Sequence, residues 1–118
     1  MSESIMLEKS KDFAVEIVNI CRQIKKDHRE SVLTNQLIRS ATSIGANIHE
    51  SKYAQSRADF ISKMQIALKE CYESEYWLEL LNRTDFVTEE QYKFLQTSCG
   101  SIRRMLISSV NTVKSNNG

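Results

Sequence analysis

The chain has no proline and only three glycines, Gly45, Gly100 and Gly118. Proline and glycine punctuate most hairpins and strand ends, so their scarcity argues against a many-stranded sandwich or barrel. No two glycines lie close enough to build a phosphate-cradling loop. An excess of charge is also missing. Sixteen basic residues face fifteen acidic ones, so bulk charge advertises neither nucleic acid nor a membrane surface. No apolar run approaches the roughly 20 residues of a membrane span, and MSESIMLEKSKDF lacks the basic-then-apolar order of a secretory leader. Three cysteines, Cys21, Cys71 and Cys99, are an odd number and fall on apolar helix faces. Reduced, buried thiols in a cytoplasmic protein are expected, rather than a disulfide framework. The apolar share of 41% and charged share of 26% suit one soluble, mostly helical domain over residues 1–118.

Apolar periodicity predicts four helices, at about 8–27, 31–54, 57–83 and 89–114. The first carries Phe13, Ile17, Ile20 and Ile24, with Ala14, Val18 and Cys21 alongside. The second has Leu33, Leu37, Ala41, Ile44 and Ile48. Ser56 with Asp59 opens the third, whose line is Phe60, Met64, Ala67, Cys71, Ser74, Leu78 and Leu81. Thr88 with Gln91 forms a capping box before the fourth, lined by Tyr92, Leu95, Cys99, Ile102, Leu106, Val110 and Val113. A Ser115-Asn116-Asn117-Gly118 tail ends it. Short connections make neighbours antiparallel, so the expected fold is an all-α, up-down-up-down four-helix bundle.

The second helix differs from the others. Between Glu30 and Glu50 its only formally charged residue is Arg39. Beside the apolar line runs a stripe of Gln36, Ser40, Ser43, Asn47 and Glu50, with Ala46 and Gly45 nearby. A mid-helix glycine costs about 1 kcal/mol against alanine and often marks close packing. Small polar residues facing water are one reading. The other is a self-association surface made of Gln36, Arg39, Ser40, Ser43, Gly45, Ala46, Asn47 and Glu50, giving a symmetric homo-oligomer.

The run Gln36-Leu37-Ile38-Arg39-Ser40-Ala41-Thr42-Ser43-Ile44-Gly45-Ala46-Asn47-Ile48, closed by Glu50, resembles Q-L-x-R-(A/S)-(A/G)-x-S-I-(P/G)-A-N-I-x-E. That is the signature of the bacterial 23S rRNA intervening-sequence protein family. The likeness continues through Ser56, Asp59-Phe60, Ile66-Ala67-Leu68, Glu73, Glu75 and Leu78. It implies an antiparallel four-helix bundle assembled into a ring, commonly a pentamer. No activity is established for most members, and the chain is expected to be a non-catalytic homo-oligomeric module, a scaffold acting through partners. A more distant relative, the accessory protein of diversity-generating retroelements, binds nucleic acid and a reverse transcriptase. Two departures stand out. Ser51 and Tyr53-Ala54 replace the glycines that many members place after the helix-two glutamate, so the helix is expected to run on. The chain is also nearly neutral, whereas the retroelement relative is basic.

Catalytic chemistry lacks convergent groups. His28 and His49 fall in different elements, and the pair His49-Glu50 with Tyr53 falls short of the four ligands a structural metal site requires. Glu70, Glu73, Glu75 and Glu79 lack the Glu-x-x-His pairs of di-iron bundles and read as a solvated acidic face, or as partners for basic residues of another subunit. No catalytic residue, cofactor or metal is expected. Nucleic acid is weighed separately. After Glu90 there is no acid, while Lys93, Arg103, Arg104 and Lys114 follow. Repeated around a ring they make a basic rim for RNA or DNA phosphates; read singly they are solubilising charges. No basic and aromatic residues interleave along the chain in the way that grips single strands. The expected partners are further copies of the chain, RNA or DNA, and another protein, without a membrane. A purely structural oligomer without nucleic-acid binding is the alternative, and a metal-dependent enzyme a distant third.

Overall fold

The computed structural model describes residues 2–116, with side chains from residue 5; Asn117 and Gly118, expected to close the last helix, lie outside the described residues. Four helices follow one another: α1 (Ser2–His28), α2 (Val32–Ser51), α3 (Arg57–Arg83) and α4 (Glu89–Ser115). No strand occurs among the described residues. α1 and α3 each pack on α2 and α4, and the diagonal pairs do not meet. Ser40, Ser43 and Glu50 of α2 meet Ser74, Glu70 and Lys63 of α3, a descending order that makes the two helices antiparallel. The result is an elongated all-α bundle of 51 × 22 × 20 Å.

α1 starts well before the expected residue 8. Met6 and Leu7 are buried, and Met6, Ser10, Phe13, Ile17, Cys21 and Ile24 continue a single buried stripe at helical spacing. α2 ends at Ser51, short of the expected Ala54. The amides of Lys52, Tyr53 and Ala54 turn back to the carbonyls of His49, Glu50 and Ser51 at 3.2, 3.0 and 3.2 Å. Bonds to the residue three back tighten the last turn and stop the helix without glycine.

The caps are local and follow the sequence. Ser56 Oγ accepts from the Asp59 amide at 3.0 Å, and Thr88 and Gln91 exchange bonds of 3.0 and 2.8 Å. The start of α2 uses a different device. Ser31 makes no side-chain cap; the Glu30 carboxylate accepts from the Leu33 and Thr34 amides at 2.7 and 3.0 Å. The α1–α2 and α3–α4 turns each contain one left-handed residue, Arg29 at φ 56° and Asp85 at φ 66°. Neither is glycine. In the second turn Phe86 N donates to Leu81 O at 2.9 Å, which satisfies one of the end carbonyls of α3.

Phe13 and Ile17, Leu37 and Ile44, Met64 and Leu78, and Ile102 and Leu106 bring two buried side chains from each helix into one core. Each contributes about 1.5–3 kcal/mol relative to exposure. α2 and α3 are the most intimate pair and α1 and α4 the loosest. At the α2–α3 contact the fully buried side chains include two serines, Ser40 and Ser74, whose small size lets the helices approach.

Candidate functional site

The polar stripe of α2 turns inward, toward α3. Ser40 is fully buried, and its hydroxyl lies 2.8 Å from that of Ser74. Ser43 Oγ donates to Glu70 at 3.4 Å, Asn47 Nδ2 donates to the Ser43 carbonyl and hydroxyl at 2.9 and 3.1 Å, and Glu50 pairs with Lys63 at 3.0 Å. Arg39 reaches across to Glu73 and, at 3.5 Å, to Glu70. Trp77 Nε1 donates to the same Glu73 oxygen at 3.0 Å.

Two sequence expectations are corrected by this seam. The sequence predicts Ser40 and Gly45 on a surface between subunits, but both are engaged by their own chain. A Cβ at Gly45 would stand 3.0 Å from Ser10 Oγ, so the backbone that approaches this glycine belongs to α1. Three of the four acids of α3 are not a solvated face either, Glu79 being the most exposed of them. Glu70, Glu73 and Glu75 are partly buried and paired with arginines of α2 and α4, and Glu79 pairs with Arg83 at 2.8 Å. Of the proposed surface residues, Gln36, Arg39, Ala46 and Glu50 stay exposed, and Ser43 and Asn47 are half-buried.

The seam is charged and nearly complete. The Trp77 indole, then Arg39, holds the Glu73 carboxyl below its ordinary range against the opposing effect of burial. Glu73 in turn raises the Arg39 guanidinium further above its already high value. Among the described residues one buried side-chain polar atom has no partner, Glu70 Oε1. Val32 at the start of α2 and Tyr53 just past its end are each 73% accessible, and Ile66 of α3 is 40% accessible.

The basic residues of α4 divide into two kinds. Lys93, Arg104 and Lys114 are exposed. Arg103 is half-buried; its Nε donates to Glu75 at 2.8 Å and its guanidinium sits 5.6 Å from the centroid of Tyr72. Sequence reasoning missed this meeting of arginine and tyrosine, because the two residues come from different helices.

The three thiols are buried. Burial pushes Cys21 up to about 12. The neighbouring Cys71, together with burial, drives Cys99 upward too, which is the opposite of what activates a thiol nucleophile. His28 stacks edge-on against Phe86 and His49 against Tyr53, in separate elements. No group of three or more His, Cys, Asp or Glu among the described residues is placed to hold a metal. No helix there is long and apolar enough to cross a membrane.

Comparison with known proteins gives the chain its relatives. No curated protein matches the sequence. A solved structure from Bacteroides thetaiotaomicron VPI-5482, a protein with unknown function from the S23 ribosomal protein family, is 49% identical. The likeness covers 94% of this chain and 99% of that one, with a TM-score of 0.92. The family model described as 23S rRNA-intervening sequence protein matches residues 2–108. The chain therefore belongs to the 23S rRNA-intervening sequence protein family.

Proposed function

We propose that the protein is a non-catalytic, ring-forming homo-oligomer that serves as a binding scaffold. One observation carries this reading: the outer side of the α2–α3 pair. It combines Val32, Tyr53 and Ile66, all exposed, with the exposed, charge-poor positions Gln36 and Ala46. Exposed apolar groups around a polar centre are what a second copy covers. Arg39 and Glu50, exposed although paired within the chain, supply the charges that would set register. A pentamer is the subunit number this reading takes.

The inert thiols and separated histidines support a role without catalysis. Partners are then met through surfaces. Lys93, Arg103, Arg104 and Lys114, repeated around a ring, form a basic rim for RNA or DNA. A purely structural oligomer is the second reading, favoured by the neutralisation of Arg103 by Glu75.

Multi-angle light scattering tests the proposal. A particle of several subunits, reduced to smaller species by Ala46→Glu and by Ile66→Asp, is the expected result. A monomer at all working concentrations overturns it.

A further inference from the structure

Gly100 lies in the middle of α4 and is buried there. What covers it is unusual. A Cβ at this position would stand 3.3 Å from Arg103 Nη2 and 3.3 Å from Arg104 Nη1. Helical side chains lean toward the N-terminus, over the residues three and four back. Arginines three and four positions after a glycine therefore both reach the bare strip of helix that the missing side chain leaves. Two guanidinium groups with like charge are brought side by side at one spot.

Only one of those charges is answered. Glu75 takes the Nε edge of Arg103 and leaves Nη2 over Gly100. Arg104 has no ion pair among the described residues, and α4 has no acid beyond Glu90. From Arg104 a shallow acid-free concavity runs along the helix, lined by Ile107, Ser108, Asn111, Thr112 and Ser115. Beside the pair stands an exposed ring, Tyr72, with the Arg103 guanidinium 5.6 Å from its centroid, and Tyr76 is exposed one turn further along α3.

We propose that Gly100, Arg103, Arg104 and Tyr72 form a phosphate clamp for single-stranded nucleic acid on the outer face of α3 and α4. It narrows the basic-rim reading, on which it rests, to one site. Paired guanidinium donors match a phosphodiester's oxygens. The concavity gives the next phosphates a path without repulsion. Tyr72 offers a face to an unstacked base, a contact open to single strands and closed to duplexes. Glu75 is a positioning residue that fixes Arg103 by its far edge.

The test is fluorescence anisotropy with a labelled mixed-sequence single strand of roughly 16 nucleotides, the upper end of a one-module site. It is run on the intact protein from about 50 to 200 mM salt. Wild type binds, and more weakly as salt rises. Arg104→Gln lowers affinity about tenfold and the salt slope by about one. Tyr72→Leu lowers affinity about tenfold with the slope retained. Gly100→Ala, whose Cβ meets both guanidinium tips at 3.3 Å and shifts them by a few tenths of an ångström, costs less affinity than Arg104→Gln with every charge in place; circular dichroism confirms that its helices are intact. Lys26→Gln on α1, which removes one charge elsewhere, binds as wild type. Absence of binding at the lowest salt overturns the clamp, as does a Lys26→Gln loss equal to that of Arg104→Gln. Equal affinity for a duplex, or for phosphatidylglycerol vesicles, overturns the single-strand assignment. Light scattering on the same samples separates the two proposals. No binding by an intact oligomer sinks the clamp and the basic rim together, binding that Arg104→Gln and Tyr72→Leu leave unchanged sinks the clamp and keeps the rim, and a monomer that binds sinks the self-association reading alone.

Discussion

Gly45 and Ser10 touch across the α1–α2 interface so closely that a Cβ on the glycine would stand 3.0 Å from the serine hydroxyl. That hydroxyl is itself committed, donating to Leu7 O at 2.6 Å. Gly45→Ala thus gains about 1 kcal/mol of helix propensity and loses more to the displaced α1. Net destabilisation of about 1–2 kcal/mol is expected in urea melts. Ser10 Cβ would lie 3.6 Å away, an ordinary contact. In a Ser10→Ala background the same Gly45→Ala change should therefore become neutral or stabilising. A double-mutant cycle without that coupling would show that the glycine is not there for α1.

Ser40 and Ser74 give a second cycle. Both are fully buried, 2.8 Å apart, and Ser40 also reaches Leu37 O at 3.2 Å. Ser74→Ala leaves Ser40 with that local backbone bond. Ser40→Ala leaves Ser74 without the cross-helix partner, and costs more, about 1–2 kcal/mol. Removing both hydroxyls should cost less than the two single losses together, since no buried donor is stranded. Thermal melts of the three variants measure it.

These serines also show what a sequence reveals and what it withholds. The caps of α3 and α4 were legible because Ser56 and Thr88 act on amides three residues away. The small-residue stripe of α2 was legible as a place of close approach. It could not say whose backbone approaches, since spacing on one helix carries no record of its neighbour. α1 supplies the contact at Gly45 and α3 the contact at Ser40. Glu30 escaped notice as a cap because it lies one residue before the usual position and works through a longer side chain. In the α4 site, Gly100 with arginines at +3 and +4 was visible in the sequence, but Tyr72 reaches Arg103 only through the α3–α4 packing.

Arg29 makes a case for adding a glycine. It ends α1 at φ 56°, where a Cβ crowds the carbonyl at about 1–2 kcal/mol. Arg29→Gly relieves that strain and concedes about 0.4–1 kcal/mol of unfolded-state entropy. A gain of roughly 0.5 kcal/mol is expected, read as a higher urea midpoint with an unchanged slope. Asp85, at φ 66°, should gain less from the same change, because aspartate tolerates this conformation better.

Acid should weaken the bundle at two identified carboxylates. Glu73 is held below the ordinary 4.5 by the Trp77 indole and then by Arg39. At Glu30 burial works against ionisation, but the Leu33 and Thr34 amides, the Thr34 hydroxyl and the Val32 amide outweigh it, again bringing the carboxyl below 4.5. In the unfolded chain both titrate near that ordinary value, so below it the unfolded state binds more protons than the folded one. Stability then rises with pH through this window and falls as pH drops through 4.5 toward the lowered folded values. Their contribution is complete above about pH 5.5 and fades below it. Glu73→Gln and Glu30→Gln should each flatten the acid limb of a urea-midpoint profile. The Glu73 part is the more salt-sensitive, because Arg39 is exposed, whereas the Glu30 part rests on backbone amides. An acid limb that neither variant changes would place the titrating groups elsewhere.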